Sequence, residues 1–123
     1  MEEFLYEDLT EKIIGISFKV YNELGFGYRE KVYHRAYAEE FKDQGISFKS
    51  EFPVRIFYLN RLIGRYYMDF VVEGKVVVEL KIANDFYTKD VKQVLSYLKA
   101  NNFRLGLLII FNKDGVKVKR IIN

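Results

Sequence analysis

Asp69, Glu79 and Lys81 are the residues of this chain whose types and spacing suit chemistry. In GKVVVELKIAND, residues 74–85, Glu79 and Lys81 interrupt a run of valines that reads as a buried strand. A strand sends alternate side chains to opposite faces, so Val77, Glu79 and Lys81 share one face while Val76, Val78 and Leu80 share the other. Ionised groups in a sheet core are costly unless each is paired or bound. One account is an ion pair between Glu79 and Lys81 on a half-exposed face, a common outcome of charged alternation. The other is a ligand site. Asp69 lies ten residues before Glu79, on a strand expected to pair with it through a turn at Glu73-Gly74, and a turn centred there sets Asp69 opposite Val78 and beside Glu79. Two carboxylates converging on one point suit a hard divalent ion such as Mg²⁺ or Mn²⁺, which takes oxygen ligands. Lys81 on the same face would neutralise phosphate charge, or orient an attacking water and help to deprotonate it.

Positioning these groups needs a sheet with helices around it. Leu9, Ile13, Ile16, Val20 and Leu24 recur at helical spacing and predict a helix with one buried face. Gly25 is placed to stop it in a left-handed conformation, a second helix spans about Arg29 to Gln44, and Gly45 ends that one. The stretch SEFPVRIFYLNRLIGRYYMDFVVEG reads as a hairpin centred on Asn60-Arg61, with Pro53 marking an edge or a strand start. The third strand spans Lys75 to Ile82. A third helix begins near Thr88 and Asp90, presents Val91, Val94, Leu95 and Leu98, and closes at Asn101-Asn102. FRLGLLIIF suits a central strand, Lys113-Asp114-Gly115 a turn, and VKVKRII a final half-exposed strand. The strand–helix–strand unit requires a crossover, so its two strands are expected to be parallel. The resulting order is ααβββαββ, an α/β fold with a mixed sheet.

Length and composition agree with this. The 123 residues fit one domain spanning 1–123, and a chain that is 50% hydrophobic and 17% aromatic, without Trp, has a globular composition. Cysteine is absent, which excludes disulfides, thiolate metal sites and cysteine nucleophiles, so any metal must sit on oxygen or nitrogen. No apolar run approaches ~18 residues, and MEEFLYEDLTEK opens with acids, so a soluble cytoplasmic protein with no membrane partner is expected. Residues 1–45 carry 10 acids and 6 bases, whereas residues 46–123 carry 7 acids and 14 bases. The second part would attract phosphate, although so modest a balance also occurs on proteins that never touch nucleic acid.

Asp69 followed by Glu79-Leu80-Lys81 on the next strand looks like the D…(D/E)xK signature of the PD-(D/E)xK nuclease superfamily. Gly27-Tyr28-Arg29-Glu30-Lys31-Val32-Tyr33 matches G-x-x-E-x-x-Y, the pattern that names the GxxExxY branch of that superfamily. Gln93-Val94-Leu95-Ser96-Tyr97 matches the Q-x-x-x-Y motif of relatives of the RecB nuclease domain. LTEKIIG, NELGFGY, VVELK, YLKANNFRLGLLIIF and VKRII extend the resemblance over almost the whole chain. It implies a restriction-endonuclease-like core and hydrolysis of phosphodiester bonds with Mg²⁺ or Mn²⁺, DNA being the expected nucleic acid. By this resemblance Glu30, Asp69 and Glu79 are the metal ligands, Lys81 is the catalytic lysine, and Gln93 and Tyr97 position substrate or the active-site groups. On its own position Glu30 also reads as a first-turn acid favouring the helix dipole, and Gln93 and Tyr97 as the edge of an amphipathic helix. The superfamily's Pro-Asp step is Met68-Asp69 here, and GFGYRE replaces a more usual aliphatic loop.

Other residues carry weaker signals. His34 is the one histidine and reads as a helix-surface residue. Gly25 and Gly27 lack the pattern of a phosphate-binding loop. The aromatic hairpin from Phe52 to Tyr67, interleaved with Arg55, Arg61 and Arg65, suits base stacking and phosphate contact, with half of its aromatics expected in the core. The alternative to a nuclease is a catalytically silent module on the same fold that binds nucleic acid or protein. So small a core is expected to need a second chain, either another copy or a partner protein, for substrate selection; the Val116-Val118 edge ending in Ile121-Ile122 is the candidate pairing edge.

Overall fold

A computed structural model describes residues 5–123, so the acidic opening at Glu2 and Glu3 lies outside the described residues. The elements follow the expected order: α1 (Glu7–Leu24), α2 (Glu30–Asp43), β1 (Phe48–Tyr58), β2 (Arg61–Val72), β3 (Val76–Ile82), α3 (Thr88–Asn101), β4 (Leu105–Asn112) and β5 (Gly115–Ile122). The strands form one sheet in the order β1-β2-β3-β4-β5, antiparallel throughout except for the parallel pair β3 and β4 that α3 connects. Among the described residues no helix is long and apolar enough to cross a membrane.

Alternation along β3 and β4 divides the interior into two cores. Val76, Val78 and Leu80 join Leu105, Leu107, Ile109 and Phe111 on the face covered by α1 and α2. Val77, Leu108 and Ile110 face α3, where Val94, Tyr97 and Leu98 meet them. Every residue of β4 is buried, which explains why its sequence is a continuous apolar run instead of an alternating one. Burying one such side chain stabilises by about 1.5–3 kcal/mol relative to exposure. Gly106 lets α3 come close: a Cβ added there would stand 2.9 Å from Val94 Cγ1.

The α1–α2 connection carries the G-x-x-E-x-x-Y spacing, and its geometry gives that spacing a reason. Gly25 leaves α1 at φ 72° and ψ −176°, not in the left-handed helical region expected from sequence, and Gly27 has φ 122°. Both are backbone states that a side chain resists. Tyr33 is buried, stacks on Phe111 with ring centroids 4.6 Å apart, and its hydroxyl donates to the Gly25 carbonyl at 2.6 Å. Glu30, one turn before Tyr33, is thereby fixed as the first residue of α2.

Two local expectations are corrected. The β1–β2 turn is centred on Leu59 and Asn60, both left-handed at φ 51° and 60°, with Tyr58 opposite Arg61. The β2–β3 loop spans residues 73–75, because Val72 pairs with Val76, and Glu73 and Gly74 both take positive φ. The register is Phe70 opposite Val78 and not Asp69 opposite Val78, so one further step brings Asp69 level with Glu79.

Candidate active site

The β2–β3 ladder stops after Phe70 and Val78, and carboxylates take over where it stops. The Asp69 backbone N–H donates to Glu79 Oε1 at 2.8 Å, and the Leu80 backbone N–H donates to Asp69 Oδ2 at 2.7 Å. Each acid thus accepts a backbone bond from the other's strand, which locks both side chains. The second oxygen of each makes no hydrogen bond among the described residues. Neighbouring strands also turn over at this point. Met68 belongs to the α3-facing core and Phe70 to the opposite one, although they are two residues apart, and Glu51 on β1 stands at φ 51°.

Burial and mutual repulsion define the electrostatics. Glu79 is 5% exposed. Its carboxyl is pushed up to about 8, first by burial and then by the negative charge of Asp69, with Lys81 acting in the opposite direction. Asp69 is raised mainly by burial, against the pull of the Leu80 N–H, His34 and Lys81. Glu30 is raised by burial and next by Asp69, and lowered by Lys81, His34 and the Ile82 backbone. Three acids therefore share one field, with Lys81 among them. Lys81 forms no ion pair with any of them within 4.0 Å among the described residues, so the Glu79–Lys81 ion pair that the sequence allowed does not form.

Glu30 and Asp69 open onto a cleft of roughly 460 Å³ that is also lined by Lys31, His34, Arg35 and Glu51. His34, expected on the helix surface, is instead half-buried here. Its ring stacks on Phe70 at 4.2 Å, and Nε2 lies 3.3 Å from the Asp69 carbonyl and 3.4 Å from Ser50 Oγ. The signal that could have found it is its position four residues after Glu30, on the same helix face. On the other side of the sheet, Tyr97 is buried against Tyr66. Its phenol is pushed up to about 12 by burial and by the charge of Glu79, while a hydrogen bond with Gln93 acts the other way. The structure therefore brings Glu30, Asp69, Glu79 and Lys81 into one cluster, with Gln93 and Tyr97 approaching it from α3.

Among the described residues no three Asp, Glu or His side chains already converge at metal-ligand range. The donors nevertheless fit a hard cation. Asp69 and Glu79 would supply two oxygen ligands, each fixed through one oxygen, and burial together with the Asp69 charge disfavours ionised Glu79 unless a cation offsets them. Mg²⁺ commonly takes only one or two carboxylates and fills its octahedron with water and substrate phosphate.

The interlocked acids, the lysine two residues after the second acid, and the mixed sheet between helices define a nuclease fold. The family model of the PD-(D/E)XK nuclease superfamily matches residues 7–121, and the chain belongs to that superfamily. Among solved structures it is similar in fold to the crystal structure of SSO0001, with a TM-score of 0.61 at 15% identity over 76% of this chain and 49% of that one. It is also similar to an alkaline exonuclease, LHK-Exo, from Laribacter hongkongensis, with a TM-score of 0.50 at 12% identity over 70% of this chain and 52% of that one. The chain thus spans about half the length of each. No curated protein matches its sequence.

Proposed function

We propose that this chain is a divalent-metal-dependent nuclease that hydrolyses phosphodiester bonds, with DNA as its polymer, and that it falls in the GxxExxY branch of the superfamily. The observation that carries this reading is the reciprocal hold of Asp69 and Glu79 on each other's strands, which among the described residues leaves one oxygen of each without a hydrogen bond and Lys81 without an ion pair. The fold shared with an alkaline exonuclease supports the reaction class.

Asp69 and Glu79 would hold Mg²⁺ or Mn²⁺, with Glu30 reaching the same ion or its waters from the start of α2. The ion, when bound, supplies Lewis acidity to the phosphoryl oxygen and lowers the pKa of an attacking water. Lys81 would place an ammonium where negative charge grows on the phosphate. Tyr97 keeps its proton and offers a hydroxyl toward Glu79, and Gln93 orients that phenol. These two act as positioning residues. Burial raises all three carboxyls and the charge of Asp69 raises Glu30 and Glu79 further, so a bound cation would also favour their ionised, ligating form.

The test is Mn²⁺-dependent cleavage of linear, circular, single-stranded and double-stranded DNA and of RNA, with Glu79→Ala and Lys81→Ala purified identically. Wild-type cleavage lost in both variants supports the reading and names the polymer. Equal traces in all three, or none in any, contradict it in favour of a silent module.

A further inference from the structure

The β1–β2 hairpin extends beyond both cores, and what it exposes is unusual for a structural arm. Phe57, Tyr58, Leu59 and Ile63 are 60%, 65%, 72% and 64% exposed. Between Val54 and Tyr67 the sequence holds three arginines and no acid. Arg55 and Arg65 are directly opposed across the two strands, and neither forms an ion pair among the described residues. Like charges in that arrangement repel and destabilise a hairpin. Tyr67 follows Arg65 by two residues and is 56% exposed, and Asp69 follows Tyr67 by two. At ~3.3 Å per residue the arginine pair lies roughly 13 Å along β2 from the candidate catalytic acid.

We propose that this arm grips a single-stranded segment of nucleic acid and leads it to the Asp69–Glu79 site, the Arg55–Arg65 pair taking a phosphate and Tyr67 stacking on a base. The inference rests on the nuclease reading and adds the form of the substrate. A phosphate resolves the repulsion of two opposed guanidiniums, whose planar forks match its oxygens. Within a duplex the faces of a base are covered by its neighbours, so stacking on a tyrosine favours unpaired nucleotides. A second copy of the chain adding a strand at this edge is disfavoured by the arm itself. Pro53 removes a donor from β1, the register shifts between Ile56 and Phe57, and like charge would meet like charge.

The experiment is fluorescence anisotropy of a labelled single-stranded oligonucleotide and its duplex with the full chain in EDTA, so that binding is read without cleavage. Arg55→Gln with Arg65→Gln is compared with Lys113→Gln with Lys117→Gln, which removes equal charge from the far side of the sheet; Tyr67→Ala is the third variant. The arm variants are expected to weaken single-strand binding by about tenfold, and the distant charge pair far less. The arginine variant alone lowers the salt slope, by roughly 0.7 for the one phosphate it no longer neutralises. Folding of each variant is checked by circular dichroism. Undiminished single-strand affinity, an equal loss in the distant pair, tighter binding of duplex, or a concentration-dependent dimer abolished by the arm variants would overturn the proposal. Failure of the nuclease reading looks different, because it would leave these affinities intact and remove only Mn²⁺-dependent cleavage.

Discussion

Strand β3 has two unlike sides. Toward β4 it pairs continuously from Val76 opposite Leu105 to Ile82 opposite Phe111. Toward β2 it pairs only from Val76 to Val78, and beyond that point the Asp69 and Glu79 carboxylates accept backbone N–H groups of the two strands, from Leu80 and Asp69 respectively. The closed side supplies rigidity. The open side keeps those two backbone donors satisfied and leaves one oxygen on each acid without a hydrogen bond among the described residues, so the same strand carries stability on one edge and the candidate catalytic constellation on the other.

The largest expected effects separate these sides by function. Glu79→Gln or Lys81→Gln is expected to reduce Mn²⁺-dependent cleavage by ~10³-fold or more, the scale for removing a group that acts in the transition state, while both variants fold. Cleavage kinetics beside a thermal melt check this, and a parallel loss of both readouts would merge the two sides. On the closed side, Leu107→Ala is expected to cost about 2–5 kcal/mol in urea unfolding, because Leu107 on β4 is fully buried against the α1–α2 layer. Gly106→Ala is expected to cost about 1–3 kcal/mol by pressing on Val94 and Leu98 of α3.

Smaller effects sharpen the contrast. Tyr97→Phe removes a hydroxyl near Glu79 and is expected to slow cleavage by ~10–100-fold with little change in stability, as for groups that orient a metal ligand. The open side also imposes a pH signature on the metal-free protein. Glu79 is raised in the folded state from 4.5 to about 8, so the native state holds a proton that the unfolded state releases. Stability is unpenalised below the ordinary carboxylate value and declines as pH rises through that window. Glu79→Gln keeps an acceptor for the Asp69 N–H and cannot ionise, so its melting temperature is expected to change less across the window than that of the wild type. An identical pH profile in the two proteins would contradict the buried-charge account.

The order of elements was readable because each carried a period and a stop: the apolar spacing of α1, the glycines after α1 and α2, the Lys113-Asp114-Gly115 turn, and the crossover that makes β3 and β4 parallel. What escaped the sequence was local and geometric. Glu73 adopts positive φ without being glycine, which lengthens the β2–β3 loop and moves the register by one residue. In a period-two structure that single step changes which residue meets Glu79. His34 escaped because its contacts, Phe70 and the Asp69 carbonyl, come from a strand 35 residues away in sequence. The pairing of Glu79 with Lys81 that charge alternation allowed is displaced by a backbone N–H, a partner no side-chain pattern reveals.

The central claim is that the open side of β3 is a cation site. Titration of Mn²⁺ into the full chain, followed by electron paramagnetic resonance of the free ion, tests it on wild type, Asp69→Asn, Glu79→Gln and Lys81→Gln. Saturable binding that is lost in both acid variants and kept in the lysine variant is the expected result. Binding that is absent in the wild type, or equal in all four proteins, would contradict it.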